Sequence, residues 1–201
     1  MKNEEKIKEL FQIANIETKK QNSSKAIKAY EDIIALSQDD IRTRHIAHWG
    51  AGDVFLNNHV FDKAEYHLKK AIELEPTEHS YHYLLGCTYT YTNNIEKAVY
   101  HLEKAISFDN SIDIYWGQLG WVVGYKIDTE KGIEYLKKAL KLNPVSAKLL
   151  KDICMLFAKI HKFGEALVCI EEALSIAPDN QEILEIKNQI EFFKNQFKRF
   201  I

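Results

Sequence analysis

In this 201-residue sequence, the histidines have the spacing that is most like that of a metal-binding site. His45 and His48, and likewise His79 and His82, stand three residues apart, so one helix face would present each pair, and imidazole is a common zinc ligand. No carboxylate or thiolate shares their stripe, and the second pair follows the first by 34 residues, as expected for a repeated structural position. We therefore predict no metal site and no cofactor.

Catalytic chemistry has equally little support in the sequence. It contains no GxSxG, HExxH, Walker or dinucleotide-binding glycine motif, and no predicted strand that would carry one. Cys87, Cys154 and Cys169 are an odd number without CxxC spacing, and no histidine is expected near Cys87 on its helix face. We predict that the protein is not an enzyme and has no catalytic residue.

Composition places the chain among folded proteins without a strong overall charge. A content of 46% hydrophobic and 28% charged residues, with 8 Gly and 3 Pro, excludes collagen-like and disordered chains. The 27 Lys and Arg against 29 Asp and Glu leave a net charge of −2, which gives no general attraction to nucleic acid or membranes. A charged N-terminus and the lack of a long apolar run predict a cytoplasmic protein without a membrane partner.

A pattern of 34 residues organises most of the sequence. Each copy begins with a small residue. Leu or Ile follows four residues later, Ala seven residues later, and Pro or Asn twelve residues later. The four copies are Ala64, Leu68, Ala71, Pro76; Ala98, Leu102, Ala105, Asn110; Gly132, Leu136, Ala139, Pro144; and Ala166, Ile170, Ala173, Pro178. Apolar offsets of 3, 4 and 7 predict amphipathic helices, and the prolines are expected to end them.

The pattern resembles the tetratricopeptide repeat. Residues 113–146 match it most literally, through Trp116, Leu119, Gly120, Leu136, Ala139 and Pro144. The resemblance implies an all-α fold, a right-handed α–α superhelix of five helix-turn-helix repeats plus a C-terminal capping helix, in a single domain over 1–201. The repeats are 7–40, 45–78, 79–112, 113–146 and 147–180, and the capping helix is 181–201.

Two departures from the repeat predict helix boundaries. Four extra residues, 41–44, separate repeats 1 and 2, so the first helix of repeat 2 should begin one turn early, with Asp39 or Asp40 as its N-cap. Asn180 or Asp179 is the expected N-cap of the C-terminal helix. That helix should dock on repeat 5 through Ile183, Ile186, Ile190, Phe193, Phe197 and Phe200. Three apolar residues lie off this stripe: Leu184, Phe192 and Ile201. They allow the alternative that the helix also forms a homodimer contact.

The face of each first helix that points away from its packed stripe carries aromatic residues where polar ones are expected. In tetratricopeptide proteins this face lines the concave groove, as the resemblance implies. The predicted groove residues are Trp49, Asp53, Tyr83, Cys87, Tyr91, Gly117, Trp121, Gly124, Tyr125, Met155, Lys148 and Lys151, with Lys159 beyond them. Gly117 and Gly124 flank Trp121 without an evident packing role, so we expect them to leave room for a ligand side chain. The alternative is that the aromatics only fill the inner wall of the superhelix.

These features favour a non-catalytic scaffold or adaptor that binds a peptide segment of a protein partner in an aromatic-lined groove. One alternative is single-stranded RNA binding by stacking, which is disfavoured because residues 79–112 carry only Lys97 and Lys104, both on the predicted second helix. Another is a self-associating structural subunit. The basic clamp for the acidic C-terminal tail of chaperones is missing, since Phe11 stands where the clamp needs a lysine and Gly50 where it needs an asparagine. Such tails are therefore not expected ligands.

Overall fold

The computed structural model describes residues 2–197 and the side chains of residues 3–196. All regular structure in this part of the chain is α-helical, which confirms the all-α repeat fold. The helices are α1 (Lys2–Lys19), α2 (Ser23–Leu36), α3 (Ile41–Asn57), α4 (Phe61–Leu74), α5 (His79–Tyr91), α6 (Ile95–Phe108), α7 (Asp113–Lys126), α8 (Thr129–Leu142), α9 (Ala147–Lys159), α10 (Phe163–Ile176) and α11 (Gln181–Phe197). None of these described helices is long and apolar enough to cross a bilayer.

The chain divides into two compact units, residues 1–108 and residues 109–201, called unit 1 and unit 2 below. Unit 1 contains α1–α6, and unit 2 contains α7–α11. Within each unit the two helices of a repeat pack against each other, and the second helix packs against the first helix of the next repeat. The single domain expected over 1–201 stays a prediction.

Small residues set the close approach of the paired helices, as the repeat predicts. A Cβ on Gly52 would lie 2.7 Å from Leu68 Cγ, and one on Gly86 would lie 2.8 Å from Leu102 Cγ. Both leucines are fully buried or nearly so. The same position in repeat 4 is Gly120, where a Cβ would meet the backbone of α8. A larger side chain here would force the two helices of each repeat apart.

The predicted start of α3 and the predicted ends of α4, α8 and α10 are confirmed. Helix α3 begins at Ile41, and Asp40 caps it by accepting a hydrogen bond from the Thr43 N–H at 3.2 Å. Helices α4, α8 and α10 end two residues before Pro76, Pro144 and Pro178 respectively. The four extra residues between repeats 1 and 2, 41–44, therefore form the first turn of α3 and not a loop.

Helix α11 packs on α10 through part of its predicted stripe. Asn180 Oδ1 accepts from the Ile183 N–H at 3.2 Å and so caps its start. Ile183 and Ile190 are buried in the same core cluster as α10. Phe193, however, is 52% exposed, so the prediction that it docks against the last repeat is wrong. The predicted contributions of Phe197, Phe200 and Ile201 concern side chains outside the described part of the chain.

Candidate functional site

The predicted groove residues fall on the first helices of repeats 2 to 5, and each unit carries its own set. In unit 1 they lie on α3 and α5, and in unit 2 on α7 and α9. The placement follows from helix periodicity, because positions three or four residues apart along one helix share a face.

Trp49 and Asp53 lie one turn apart on α3 in unit 1. The half-buried Trp49 ring contacts the Tyr81 ring, with 6.2 Å between centroids, and its Nε1 atom is buried without a hydrogen-bond partner. Asp53 Oδ1 accepts a hydrogen bond from Asn57 Nδ2 at 3.2 Å, and burial raises the pKa of the Asp53 carboxyl. Among the described residues, no cation pairs with this carboxylate. Unit 1 therefore holds a buried indole N–H without an acceptor one turn from a carboxylate that is hydrogen-bonded to Asn57.

The other unit 1 residues differ sharply in exposure. Tyr91 is 61% exposed and stacks on Phe61, with ring centroids 5.6 Å apart and an interplanar angle of 14°. Tyr83 packs in part against the core of the unit. Cys87 is only 8% exposed and belongs to that core, which corrects its assignment to the groove surface. The reason is that α3 and α5 pack on each other, so a side chain on that side of α5 is covered.

In unit 2, Trp121 and Tyr125 form a compact aromatic pair on α7. Their ring centroids lie 4.3 Å apart. The Lys159 ammonium donates to the Gly124 and Tyr125 carbonyl oxygens at 2.9 and 2.8 Å, and it also lies 5.3 Å from the Tyr125 ring centroid. Lys159 thus satisfies carbonyls of the last turn of α7, which have no partners within the helix. These contacts hold Lys159 against the Tyr125 ring, which lies beside Trp121.

The two glycines beside Trp121 have packing roles, contrary to our expectation. A Cβ on Gly124 would lie 2.3 Å from Leu156 Cδ1, and one on Gly117 would lie 3.0 Å from Leu149 Cδ2. Both leucines belong to α9 and are buried. The space beside Trp121 is therefore filled by the next repeat and is not open to a ligand.

The lysines of α9 are not free cations. Lys148 pairs with Asp152 at 2.9 Å, and Lys151 pairs with Glu182 of α11 at 2.7 Å. Lys159 is held by the carbonyls of α7. Each of these predicted groove lysines therefore has a partner inside unit 2.

A hollow between α7, α9 and α11 is the clearest concave feature that the predicted groove residues reach. It has a volume of about 230 Å³, and its lining is mostly apolar. The lining residues are Tyr125, Met155, Ala158, Lys159, Ile186, Gln189, Ile190 and Phe193. The α11 residues were missed as groove residues because the sequence assigned them to a docking stripe. No repeat signal marks them, because α11 lies outside the repeat.

A second hollow, in unit 1, is polar. It has a volume of about 490 Å³ and is lined by Thr18, Gln21, Ser23, Val54, Asn57 and Asn58. Asn57 connects this hollow to the Asp53 carboxylate through the hydrogen bond described above. None of its lining residues carries a charge.

The histidines form pairs across helices instead of along one helix. His48 Nδ1 lies 3.1 Å from His67 Nδ1, and His82 Nδ1 lies 3.0 Å from His101 Nδ1. Burial lowers the pKa of His48 and of His101 to about 4. His45 instead contacts the Tyr81 hydroxyl at 2.6 Å. In the described part of the chain, no three His, Cys, Asp or Glu side chains are grouped as a metal site requires.

Comparisons with known proteins agree with this architecture. A family model described as tetratricopeptide repeat matches residues 79–112 and 115–146. No curated protein matches the sequence.

Solved structures of repeat proteins superpose on most of the chain. A tetratricopeptide repeat protein from Parabacteroides merdae ATCC 43184 gives a TM-score of 0.82 at 12% identity, covering 97% of this chain and 76% of that one. MamA 41-end from Desulfovibrio magneticus RS-1 gives 0.77 at 16% identity, covering 88% and 97%. YrrB, described as a TPR protein with an unusual peptide-binding site, gives 0.70 at 19% identity, covering 87% and 88%. At these identities the likeness concerns the fold alone.

The matched repeats coincide with α5–α6 and α7–α8, and the remaining helix pairs of repeats 1, 2 and 5 follow the same order. Residues 79–112 and 115–146 are therefore two tetratricopeptide repeats, and the rest of the chain resembles that repeat in its fold.

Proposed function

We propose that this protein is a non-catalytic interaction module that binds a peptide segment of a partner protein. An apolar side chain of the peptide enters the hollow of unit 2. The observation that carries this proposal is the hollow itself, because it joins groove residues of α7 and α9 to exposed apolar surface of α11.

The size and lining of the hollow suit a single side chain. An engineered apolar cavity of about 150 Å³ accommodates a benzene molecule, so about 230 Å³ has room for an aromatic or large aliphatic group. Phe193 and Tyr125 would lose exposed apolar surface on binding, which favours association. Gln189 at the edge supplies amide groups that suit a peptide backbone. The arrangement is that of an apolar anchor with a polar rim.

Two further points support a peptide over RNA. The lysines of α9 are engaged by carboxylates or carbonyls, so they offer few free cations to a phosphate backbone. YrrB shares the fold and is described as having a peptide-binding site, which supports the class of ligand without identifying it.

Phe193→Ala should weaken peptide binding by about 2 kcal/mol, because it removes one wall of the hollow. The test starts from a random peptide library displayed on phage and selected on the immobilised full chain. A synthetic peptide from that selection is then titrated against the variants by fluorescence anisotropy. The fold should survive, since Phe193 is half exposed.

Phe192→Ala is the matched control. It removes the same side chain from the next residue, which is 59% exposed and does not line the hollow. We expect this variant to bind like the wild type. Equal losses in both variants, or no loss in Phe193→Ala, would show that the peptide does not use the hollow. Failure to enrich any peptide over an empty support would count against the proposed function as a whole.

Self-association through α11 is the second candidate function. Phe192 and Phe193 are both exposed, and their ring centroids lie 5.7 Å apart in an edge-to-face arrangement. If this surface holds two copies together, Phe192→Asp should convert a dimer into a monomer in multi-angle light scattering. A wild-type chain that is a monomer at high concentration would remove this candidate.

A further inference from the structure

Met155 is the sulfur-containing side chain on the lining of the unit 2 hollow. It lies on α9, is half-buried, and shares the hollow with Tyr125 and Phe193. A methionine thioether reacts with peroxides and becomes a sulfoxide, which is polar and chiral. The sequence contains one other methionine, Met1, which is outside the described residues. Oxidation of Met155 would therefore place a polar group inside the hollow of unit 2.

The cysteines of unit 2 compete poorly for a peroxide. Cys154 is fully buried, and burial raises the pKa of its thiol to about 12. Burial also raises the pKa of the half-buried Cys169 thiol. The thiolate is the reactive form of cysteine, and a raised pKa keeps both groups in the thiol form at neutral pH. A thioether has no proton to lose, so the reactivity of Met155 depends on access to its sulfur through the hollow.

A sulfoxide at Met155 would change what the hollow accepts. The lining is mostly apolar, which suits an apolar side chain of a peptide. The sulfoxide oxygen is a hydrogen-bond acceptor, and it would bond to water or to the amide of Gln189, which also lines the hollow. An entering apolar side chain would remove the water from this oxygen without offering a donor in return, which is unfavourable. The oxidised hollow should therefore bind the same peptide more weakly.

The core of unit 2 is built from other residues of α9. Leu150 and Cys154 are buried in one core cluster with Ile170 of α10, and Ile153 is buried in a second cluster. Met155 is instead half-buried at the hollow. An oxygen added to its sulfur would thus change the lining of the hollow while the packing of these core residues is preserved.

We propose that Met155 is a redox modification site whose oxidation turns peptide binding off. A peroxide transfers one oxygen atom to the Met155 sulfur: an S–O bond forms, the O–O bond breaks, the sulfur loses two electrons and hydrogen peroxide leaves as water. A dithiol reverses the step through a methionine sulfoxide reductase, which releases the oxygen as water and leaves a disulfide. This inference rests on the proposed function and adds a means of regulating it.

The experiment compares each protein with itself before and after oxidation. The full chain is treated with hydrogen peroxide, the excess is destroyed with catalase, and the titration with the selected peptide is repeated. We expect the dissociation constant of the wild type to rise about tenfold, as a poorly compensated polar group in the hollow would cause. Methionine sulfoxide reductases with dithiothreitol should restore the original value. Tryptic peptide 152–159 contains both Cys154 and Met155, so its fragment masses show which of the two gained oxygen.

Two variants separate the thioether from the thiols. Met155→Leu has a similar volume and no sulfur. Whatever its affinity before treatment, peroxide should change that affinity less than about twofold. Cys169→Ser is the matched control, because it removes the half-buried thiol and keeps the thioether. Its affinity should fall by the same factor as that of the wild type.

The outcomes also separate the inference from the proposed function. Unchanged peptide affinity after complete oxidation of Met155 would overturn the inference while the proposed function stands. A peroxide effect that persists in Met155→Leu would do the same. So would a melting temperature that falls by more than about 4 °C on oxidation, since binding would then be lost through a weakened fold. Failure to enrich any peptide would remove both proposals together, whereas a Met155 that resists peroxide would remove only the modification site.

Discussion

Gly132→Ala should lower the free energy of unfolding by about 3 kcal/mol, at the upper end of the usual overpacking cost. A Cβ at this position would lie 2.2 Å from Gly124 Cα and 2.4 Å from Gly124 N. These are backbone atoms, so no change of rotamer relieves the clash. Helices α7 and α8 would have to separate, which would also disturb the contact of Gly120 with α8 and so loosen the core of unit 2.

Gly164→Ala provides the control for helix propensity. Gly164 lies near the start of α10, and a Cβ there would meet nothing within 4 Å. Alanine is favoured over glycine by roughly 1 kcal/mol in a helix, so this variant should be at least as stable as the wild type. Urea denaturation followed by circular dichroism measures both changes. Equal stabilities for the two variants would show that α7 and α8 do not approach as closely as described.

The glycines illustrate which contacts a repeat pattern can predict. Gly52, Gly86 and Gly120 occupy one repeat position, so their common role against the second helix follows from the sequence. Gly124 occurs once at its position, and its neighbour Leu156 lies in the next repeat. A contact between non-equivalent repeat positions does not recur from one repeat to the next, so the repeat pattern cannot predict it. For that reason the sequence suggested an open space where the structure has a packed helix interface.

The candidate site was predictable to a similar extent. Trp121 and Met155 are half-buried and Tyr125 is exposed. Helix periodicity could not show that α5 packs beside α3 and buries Cys87. The pairing of Lys148 with Asp152 is an i, i+4 relation that the sequence does contain. The hollow was not predictable, because α11 lies outside the repeat and Phe193 has no equivalent in the other units of the pattern.

Equivalent positions of repeats 3 and 4 make equivalent side-chain hydrogen bonds. His82 Nε2 donates to the Pro76 carbonyl oxygen at 3.2 Å, and Trp116, the equivalent residue of repeat 4, donates from Nε1 to the Asn110 carbonyl at 2.9 Å. Because a neutral imidazole has one N–H, this bond leaves His82 Nδ1 as an acceptor. His101 must then donate from its own Nδ1. The contact in repeat 3 is thus a hydrogen bond between two neutral rings.

These pairs should make the stability of unit 1 depend on pH. Burial lowers the pKa of His48 and His101 to about 4 in the folded state, from an ordinary value near 6.5. The folded protein therefore binds fewer protons than the unfolded chain between these two pH values. The stabilisation is present in full above about pH 6.5 and is lost as the pH falls toward 4. We expect each pair to account for a loss of about 2 kcal/mol between pH 7 and pH 5.

Repeat 4 supplies the variant that tests this expectation. Its equivalent pair is Trp116 and Tyr135, whose ring centroids lie 5.8 Å apart and which contains no imidazole. The double variant H82W/H101Y copies that pair into repeat 3 and keeps a donor for the Pro76 carbonyl. Urea denaturation at pH 7 and at pH 5 should show a smaller loss of stability in this variant than in the wild type, by about 2 kcal/mol. An unchanged difference between the two pH values would mean that the imidazoles of repeat 3 take up protons in the folded protein as readily as in the unfolded chain, and so are not held as a neutral pair.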